Sequence, residues 1–272
     1  MTAAGGRDLD AGAVARLLPP VGRRQRGRWL ARDRRPRVWA HRGASAHATE
    51  NTLAAFALAV AHGADGVELD VMCCASGEVV VFHDDDLDRL AGRPGRIEAL
   101  PWSELARVEL VGGHRIPRLE DALAACGELA VNVELKSRGP GRAGALPVAV
   151  ARVLRDVGAL DRVVVSSFDP AALWRLHLAV PRVPLAYLFE AGLPRPLRSV
   201  AAAALVGASA VHPEHVLCTP LEVAAWRARG LAVNAWTVDD PERLRALAAA
   251  GVDGVFANDP RAALAVLAQR TA

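Results

Sequence analysis

The stretches Val67-Glu68-Leu69-Asp70-Val71 and Val131-Asn132-Val133-Glu134-Leu135-Lys136 decide how this chain folds. Both alternate with the period of two that belongs to a β-strand, so one face carries only valine and leucine. The other face carries Glu68 and Asp70 in the first stretch, and Asn132, Glu134 and Lys136 in the second. Val233-Asn234-Ala235-Trp236 repeats the pattern, with Asn234 and Trp236 sharing a face. Charges inside a parallel strand need a reason, because both faces of such a strand are buried. Three strands made polar near their C-terminal ends match the place where barrel active sites assemble.

Outward from these stretches, short apolar runs alternate with longer Ala-, Leu- and Arg-rich segments of helical spacing. Strands are expected near Val38–His41, Gly66–Val71, Ala130–Lys136, Val163–Phe168, Val183–Phe189, Ala208–His212, Ala232–Thr237 and Gly254–Ala257. Helices are expected near Thr52–His62, Leu119–Cys126, Ala145–Val157, Pro170–Leu178, Pro196–Val206, Pro220–Arg229, Pro241–Ala250 and Pro260–Gln269. Five of them open on proline, whose missing N–H goes unused in a first turn. Asp169, Thr219, Asp240 and Asp259 stand where N-caps belong. Eight strands, each leading to a helix, predict an α/β chain closed as a (β/α)₈ TIM barrel. A short hairpin and loop insertion follows the second strand. An open doubly wound sheet fits less well, since no glycine-rich dinucleotide fingerprint follows the first strand. The expected division is an Arg-rich extension over residues 1–36 and one barrel domain over residues 37–272.

The 272 residues are 52% hydrophobic and 23% charged, a composition that builds a large core. Aromatic residues make up 4%, so that core must rest on Ala, Val and Leu. No apolar run reaches the ~20 residues of a bilayer span, and the first ten residues lack the apolar segment of a secretory signal. Cys73, Cys74, Cys126 and Cys218 lack the paired spacing of a zinc site. A soluble, cytoplasmic protein with reduced thiols is the expectation. Its net charge of +3 hides an asymmetry: Arg23, Arg24, Arg26, Arg28, Arg32, Arg34, Arg35 and Arg37 face Asp33 alone. Such a run can draw a weak association with an anionic membrane surface. No zinc-finger or RNA-recognition signature accompanies it, so nucleic acid is not an expected partner. Lysine occurs once, at Lys136, against 32 arginines. In a chain that writes arginine for its surface cations, that position calls for a compact ammonium.

The polar faces have a definite chemistry. Glu68, Asp70 and Glu134 offer three hard oxygen ligands that suit Mg²⁺ or Ca²⁺ better than zinc, and that would repel one another without a cation. His41 ends the first strand and His83 ends Val79-Val80-Val81-Phe82-His83. Two histidines at strand ends beside a carboxylate cluster suggest a general acid and a general base. A two-residue Ser76-Gly77 turn would place Asp70 directly opposite His83. Of the remaining histidines, His62, His114 and His177 are expected in solvent, whereas His47 and His212 are candidates for the mouth.

The ordered set His41-Arg42-Gly43, Glu50-Asn51-Thr52, Gly63–Val71, His83-Asp84, Ile116–Glu120, Val131–Lys136, Ser166-Ser167-Phe168, Asn234–Val238 and Gly251–Val255 resembles the glycerophosphodiester phosphodiesterase family, a PI-PLC-like phosphodiesterase TIM barrel. The likeness spans roughly residues 37–262. It implies hydrolysis of a small-molecule glycerophosphodiester to glycerol 3-phosphate and an alcohol, with one divalent cation, Mg²⁺ or Ca²⁺ and with Mn²⁺ a third option. By the same resemblance His41 and His83 are the acid–base pair, and Glu68, Asp70 and Glu134 are the metal ligands. Arg42 and Lys136 face the phosphoryl oxygens, Glu50 orders the mouth, and Trp236 walls the pocket with Asn234 in support. The chain departs from the family pattern in three places. Thr49 replaces the usual proline before Glu50, a change expected to loosen that turn without removing chemistry. Cys73-Cys74-Ala75-Ser76-Gly77 makes an unusual hairpin tip, and Phe256-Ala257-Asn258-Asp259-Pro260 stands for a commoner Thr-Asp-x-Pro. A lysophospholipase D-type lipid phosphodiesterase on the same barrel is the alternative activity. A catalytically silent phosphate-binding barrel would have lost a member of the set, and none is lost.

Overall fold

Strand alternation settles which side chains meet the helices and which fill the barrel. The structure, a computed structural model, describes residues 35–137 and 144–269. The Arg-rich extension therefore lies almost wholly outside the described residues. In chain order the strands are β1 (Arg37–Ala40), β2 (Gly66–Cys73), β3 (Val79–Val81), β4 (Glu109–Leu110), β5 (His114–Arg115), β6 (Ala130–Leu135), β7 (Val163–Ser167), β8 (Leu185–Phe189), β9 (Ala210–Pro213), β10 (Ala232–Ala235) and β11 (Gly254–Ala257). Parallel pairing runs β1-β11-β10-β9-β8-β7-β6-β2, and β2 returns to β1, which closes an eight-stranded (β/α)₈ barrel. The expected helices are all present. Asp169, Thr219, Asp240 and Asp259 each cap one by accepting a backbone N–H from the first turn, which is worth about 1 kcal/mol per cap. Pro196 is the exception: it lies in a 3₁₀ turn, Arg195–Arg198, and the α-helix starts only at Val200, capped by Ser199.

Val67, Leu69, Val71, Val131, Val133 and Leu135 all join the core between barrel and helices. The barrel interior is a separate, thinner cluster of Trp39, Val164, Ala186, Ala210, Ala232 and Phe256. Trp39 and Phe256 stack there with ring centroids 6.0 Å apart. The small alanines leave room for these two rings. Gly66 does so most acutely, since a methyl group at that position would lie 2.5 Å from the Trp39 ring.

The excursion after β2 is larger than a short hairpin and loop. Beyond β3 it includes the β4–β5 pair and buries Leu87, Leu90, Ile97, Leu105, Val108, Leu110 and Ile116 in a core of its own with Met72, Val80 and Phe82. Its apolar residues fall at irregular intervals between glycines and charges, so no single period betrays them. The hairpin register also differs from expectation. Val71 pairs with Val81 and Cys73 with Val79, which sets Phe82, not His83, opposite Asp70. A three-residue tip causes the shift: Cys74 N–H bonds the Glu78 carbonyl, and Gly77 at φ 96 takes the left-handed position that such loops require. His83 still reaches the mouth, because the chain leaves the sheet after Val81. Among the described residues, no helix is long and apolar enough to cross a membrane.

Candidate active site

Parallel register places Asp70 beside Glu134 and Glu68 beside Asn132, all pointing into the C-terminal mouth of the barrel. Carboxylate oxygens of Glu68, Asp70 and Glu134 lie within 4.8 Å of one another. Two cations lie among them. Lys136 Nζ is 2.9 Å from Glu134 Oε1 and 3.2 Å from Asp70 Oδ1, and Arg42 Nε is 3.3 Å from Asp70 Oδ2. Burial raises the pKa of Glu68, and the charges of Asp70 and Glu134 push it further up. Burial acts the same way on Glu134, which stays raised although Lys136 opposes it. Asp70 goes the other way: Lys136 and Arg42, helped by a hydrogen bond from Asn51 Nδ2 at 2.9 Å, outweigh burial and hold it well below the carboxylate range. Three carboxylates against two cations in a buried site resist ionising all at once. The donor set fits a hard divalent cation.

An ion-pair ladder connects this cluster to the second histidine. Arg42 donates from Nη1 to Glu50 Oε1 at 2.9 Å, and Arg89 grips the same carboxylate at 2.6 and 3.0 Å. Arg89 Nε in turn donates to Asp84 Oδ2 at 2.6 Å, and Asp84 Oδ1 lies 2.7 Å from His83 Nδ1. Glu50 thus joins two arginines. Thr49 does not loosen the turn, since its hydroxyl donates to the Val111 carbonyl at 2.7 Å and ties the turn to the insertion.

His41 follows β1 directly, with its backbone N–H on the Ala257 carbonyl. Its Nδ1 lies 2.8 Å from Asn258 Oδ1, and its Nε2 lies 4.0 Å from Glu68 Oε2. Burial, reinforced by the Arg42 charge, lowers its pKa. His41, Arg42, Glu68, His83, Glu134 and Lys136 line one cleft of about 260 Å³, opposite an aromatic wall of Trp236 and Phe168 whose rings meet edge to face at 5.7 Å. Asn234 does not line it. The residue sits lower in the barrel, where its Nδ2 meets His212 Nε2 at 3.0 Å, and His212 itself forms part of the cleft floor. Burial depresses His212 to about 3, so it is neutral there. His47 lies apart from the cleft, against Asp259. Sequence reasoning gave no role to Arg89 or Asn51. Arg89 stands in no strand pattern, and only its contacts reveal it. Asn51 offered one signal in the sequence, its place directly after Glu50, and the structure buries it at a positive φ of 56.

The closed (β/α)₈ barrel carries this cluster of acids, cations and histidines at its mouth, and comparison with known proteins gives the family. Residues 41–262 match the model of the glycerophosphoryl diester phosphodiesterase family. A glycerophosphodiester phosphodiesterase of Caldanaerobacter subterraneus subsp. tengcongensis is 32% identical over 232 residues, covering 82% of this chain and 94% of the relative. One of Bacillus altitudinis is 30% identical, covering 85% and 97%. Among solved structures, an Oleispira antarctica phosphodiesterase in complex with the product sn-glycerol-3-phosphate superposes with a TM-score of 0.79 at 28% identity, covering 86% of this chain and 98% of that one. This chain belongs to the glycerophosphoryl diester phosphodiesterase family and is an enzyme of that fold and class.

Proposed function

We propose that the protein hydrolyses glycerophosphodiesters to glycerol 3-phosphate and an alcohol with the help of a divalent cation and two histidines. The observation that carries this reading is the single cleft that gathers both histidines, both cations and two of the clustered carboxylates, Glu68 and Glu134, with Asp70 within 4.8 Å of them. Glu68, Asp70 and Glu134 would hold the cation, which when bound lowers the charge cost at the phosphoryl group. Arg42 and Lys136 face the phosphoryl oxygens and offset the charge that builds there. One histidine takes the proton of the attacking hydroxyl, from water or from the substrate's own 2-hydroxyl through a cyclic phosphate. As the P–O bond to the leaving alcohol breaks, the other histidine protonates that oxygen. Trp236 and Phe168 form an apolar wall for the carbon skeleton of the glycerol or leaving group.

Product analysis tests this reading. Glycerophosphocholine and glycerophosphoethanolamine should each yield glycerol 3-phosphate and the free alcohol. Faster turnover of lysophosphatidylcholine than of either soluble diester would replace it with the lipid phosphodiesterase.

Lys136→Arg should lower turnover by about 10²-fold, since misplacement on the order of 1 Å has that effect. The ammonium fits between Glu134 and Asp70 at 2.9 and 3.2 Å. A planar guanidinium is wider and must displace one carboxylate or the phosphoryl group. Steady-state kinetics decide it, and turnover within about twofold of wild type would show that charge alone suffices.

The Arg-rich extension we read as separate from the barrel chemistry and as the element that meets anionic membrane surfaces. Arg35 belongs with the barrel, because it clasps Asp65 through two bonds at 2.6 and 3.1 Å. Deleting residues 1–34 should therefore leave hydrolysis of a soluble diester unchanged. The deletion should weaken binding to vesicles rich in anionic lipid, and the difference should shrink with salt. Equal vesicle binding at low salt would remove the membrane role.

A further inference from the structure

Three hydrogen bonds behind His41 fix how its ring meets the cleft. Asp239, four residues past the end of β10, takes hold of Asn258, which follows β11, with both carboxylate oxygens. The Asn258 backbone N–H donates to Oδ1 at 2.7 Å, and its side-chain Nδ2 donates to Oδ2 at 2.6 Å. An asparagine amide has two faces, and a flip exchanges donor for acceptor. Here a flip would set the amide oxygen against a carboxylate. The NH₂ group therefore faces Asp239, and Oδ1 is left facing Ser45 Oγ at 3.0 Å and His41 Nδ1 at 2.8 Å. An amide oxygen only accepts. The hydrogen of the neutral imidazole must then sit on Nδ1, which leaves Nε2 with a bare lone pair. Nε2 is the atom on the Glu68 side of the ring, at 4.0 Å from Oε2.

We propose that Asn258, locked by Asp239, is a positioning residue that holds His41 in the Nδ1-protonated tautomer, with Nε2 bare toward the cleft. The proposal rests on the reading of His41 as a proton-transfer group, and it makes His41 the histidine that accepts a proton first. A plain structural staple would need only two contacts. This pair also dictates which atom donates. A carboxylate at position 258 would accept from Nδ1 equally well, but it would face the Asp239 carboxylate where Nδ2 now sits at 2.6 Å. Exchanging both residues restores the match, with the amide at 239 donating to the carboxylate at 258.

The tautomer is read directly from the ¹⁵N shifts and long-range ¹H–¹⁵N couplings of the His41 ring in the full-length protein, with His41→Ala used to assign the signals. Wild type should show the Nδ1-protonated pattern, and Asn258→Ala should shift it toward the Nε2-protonated form that free imidazole prefers. Turnover of glycerophosphocholine should fall by roughly 10- to 10²-fold in Asn258→Ala, with KM changed less than about twofold. Asn258→Asp alone should be impaired, and the double exchange Asp239→Asn with Asn258→Asp should recover most of the loss. Asp239 is exposed and Asn258 only half-buried, so these variants are expected to fold. If Asn258→Ala does not, Asp239→Asn reads the same spectrum. An unchanged tautomer in Asn258→Ala, or a double variant no better than Asn258→Asp, overturns the proposal. Because the spectrum needs no turnover, an active His41→Ala enzyme would instead refute the role of His41 and leave the tautomer lock standing.

Discussion

Stripping divalent cations with EDTA should remove hydrolysis, and Mg²⁺, Mn²⁺ or Ca²⁺ should restore it. The expectation follows from charge. Burial first, then mutual repulsion, raises the pKa of Glu68, so the empty cluster resists ionising all three of its carboxylates. A cation offsets that cost. Glu68→Gln separates the metal effect from a general loss of structure. A glutamate raised in the folded state stabilises the fold while it is protonated, below its ordinary 4.5, and loses that contribution as pH rises through its folded value. Metal-free Glu68→Gln should therefore melt with wild type at about pH 4 and above wild type at about pH 8. The bond from Arg42 N–H, at 2.9 Å in wild type, can persist to the glutamine oxygen. With metal added the order should reverse. A ligand at a hundredfold excess over its Kd stabilises by about 2.7 kcal/mol, and the variant should lose most of that gain. Full hydrolysis in excess EDTA, on protein shown metal-free by mass spectrometry, would refute the metal requirement.

The fold was legible because the signals that specify it are local. Each barrel strand is a short apolar run, and Asp169, Thr219, Asp240 and Asp259 announce helix starts one residue ahead of a proline. Period two alone put Glu68, Asp70, Glu134 and Lys136 on inward faces, and parallel register then brought them together. What escaped was set by contacts between distant residues or by backbone detail. A single left-handed glycine, Gly77, adds a residue to the hairpin tip and moves the whole register by one. Arg89 joins the site only through Glu50 and Asp84, which are 39 and 5 residues away. Asn234 obeys the predicted alternation, yet its amide meets His212 and does not line the cleft. Asn258 looked like a mere departure from the family pattern, and its meaning depends on Asp239, 19 residues earlier.

His41→Ala and His83→Ala should each lower kcat on glycerophosphocholine by about 10²- to 10⁴-fold, the range that positioned acid–base groups contribute. Neither change should unfold the protein. The two side chains keep 19% and 30% of their surface exposed, so truncation empties part of an open cleft and leaves the buried core untouched. The two losses can also be told apart. A natural glycerophosphodiester expels a strongly basic alkoxide, which needs a proton as the P–O bond breaks. A nitrophenyl ester expels a weakly basic phenolate that needs none. The variant that lacks the proton donor should therefore recover most of its loss on the nitrophenyl substrate, while the variant that lacks the acceptor should stay slow on both. With His41 proposed as the histidine that accepts the first proton, on the strength of its Nδ1 contact with Asn258 Oδ1 at 2.8 Å, recovery is expected for His83→Ala. Recovery by His41→Ala instead would reverse the two roles. Near-wild-type turnover of glycerophosphocholine by either variant would remove that histidine from the chemistry, whatever its place in the cleft.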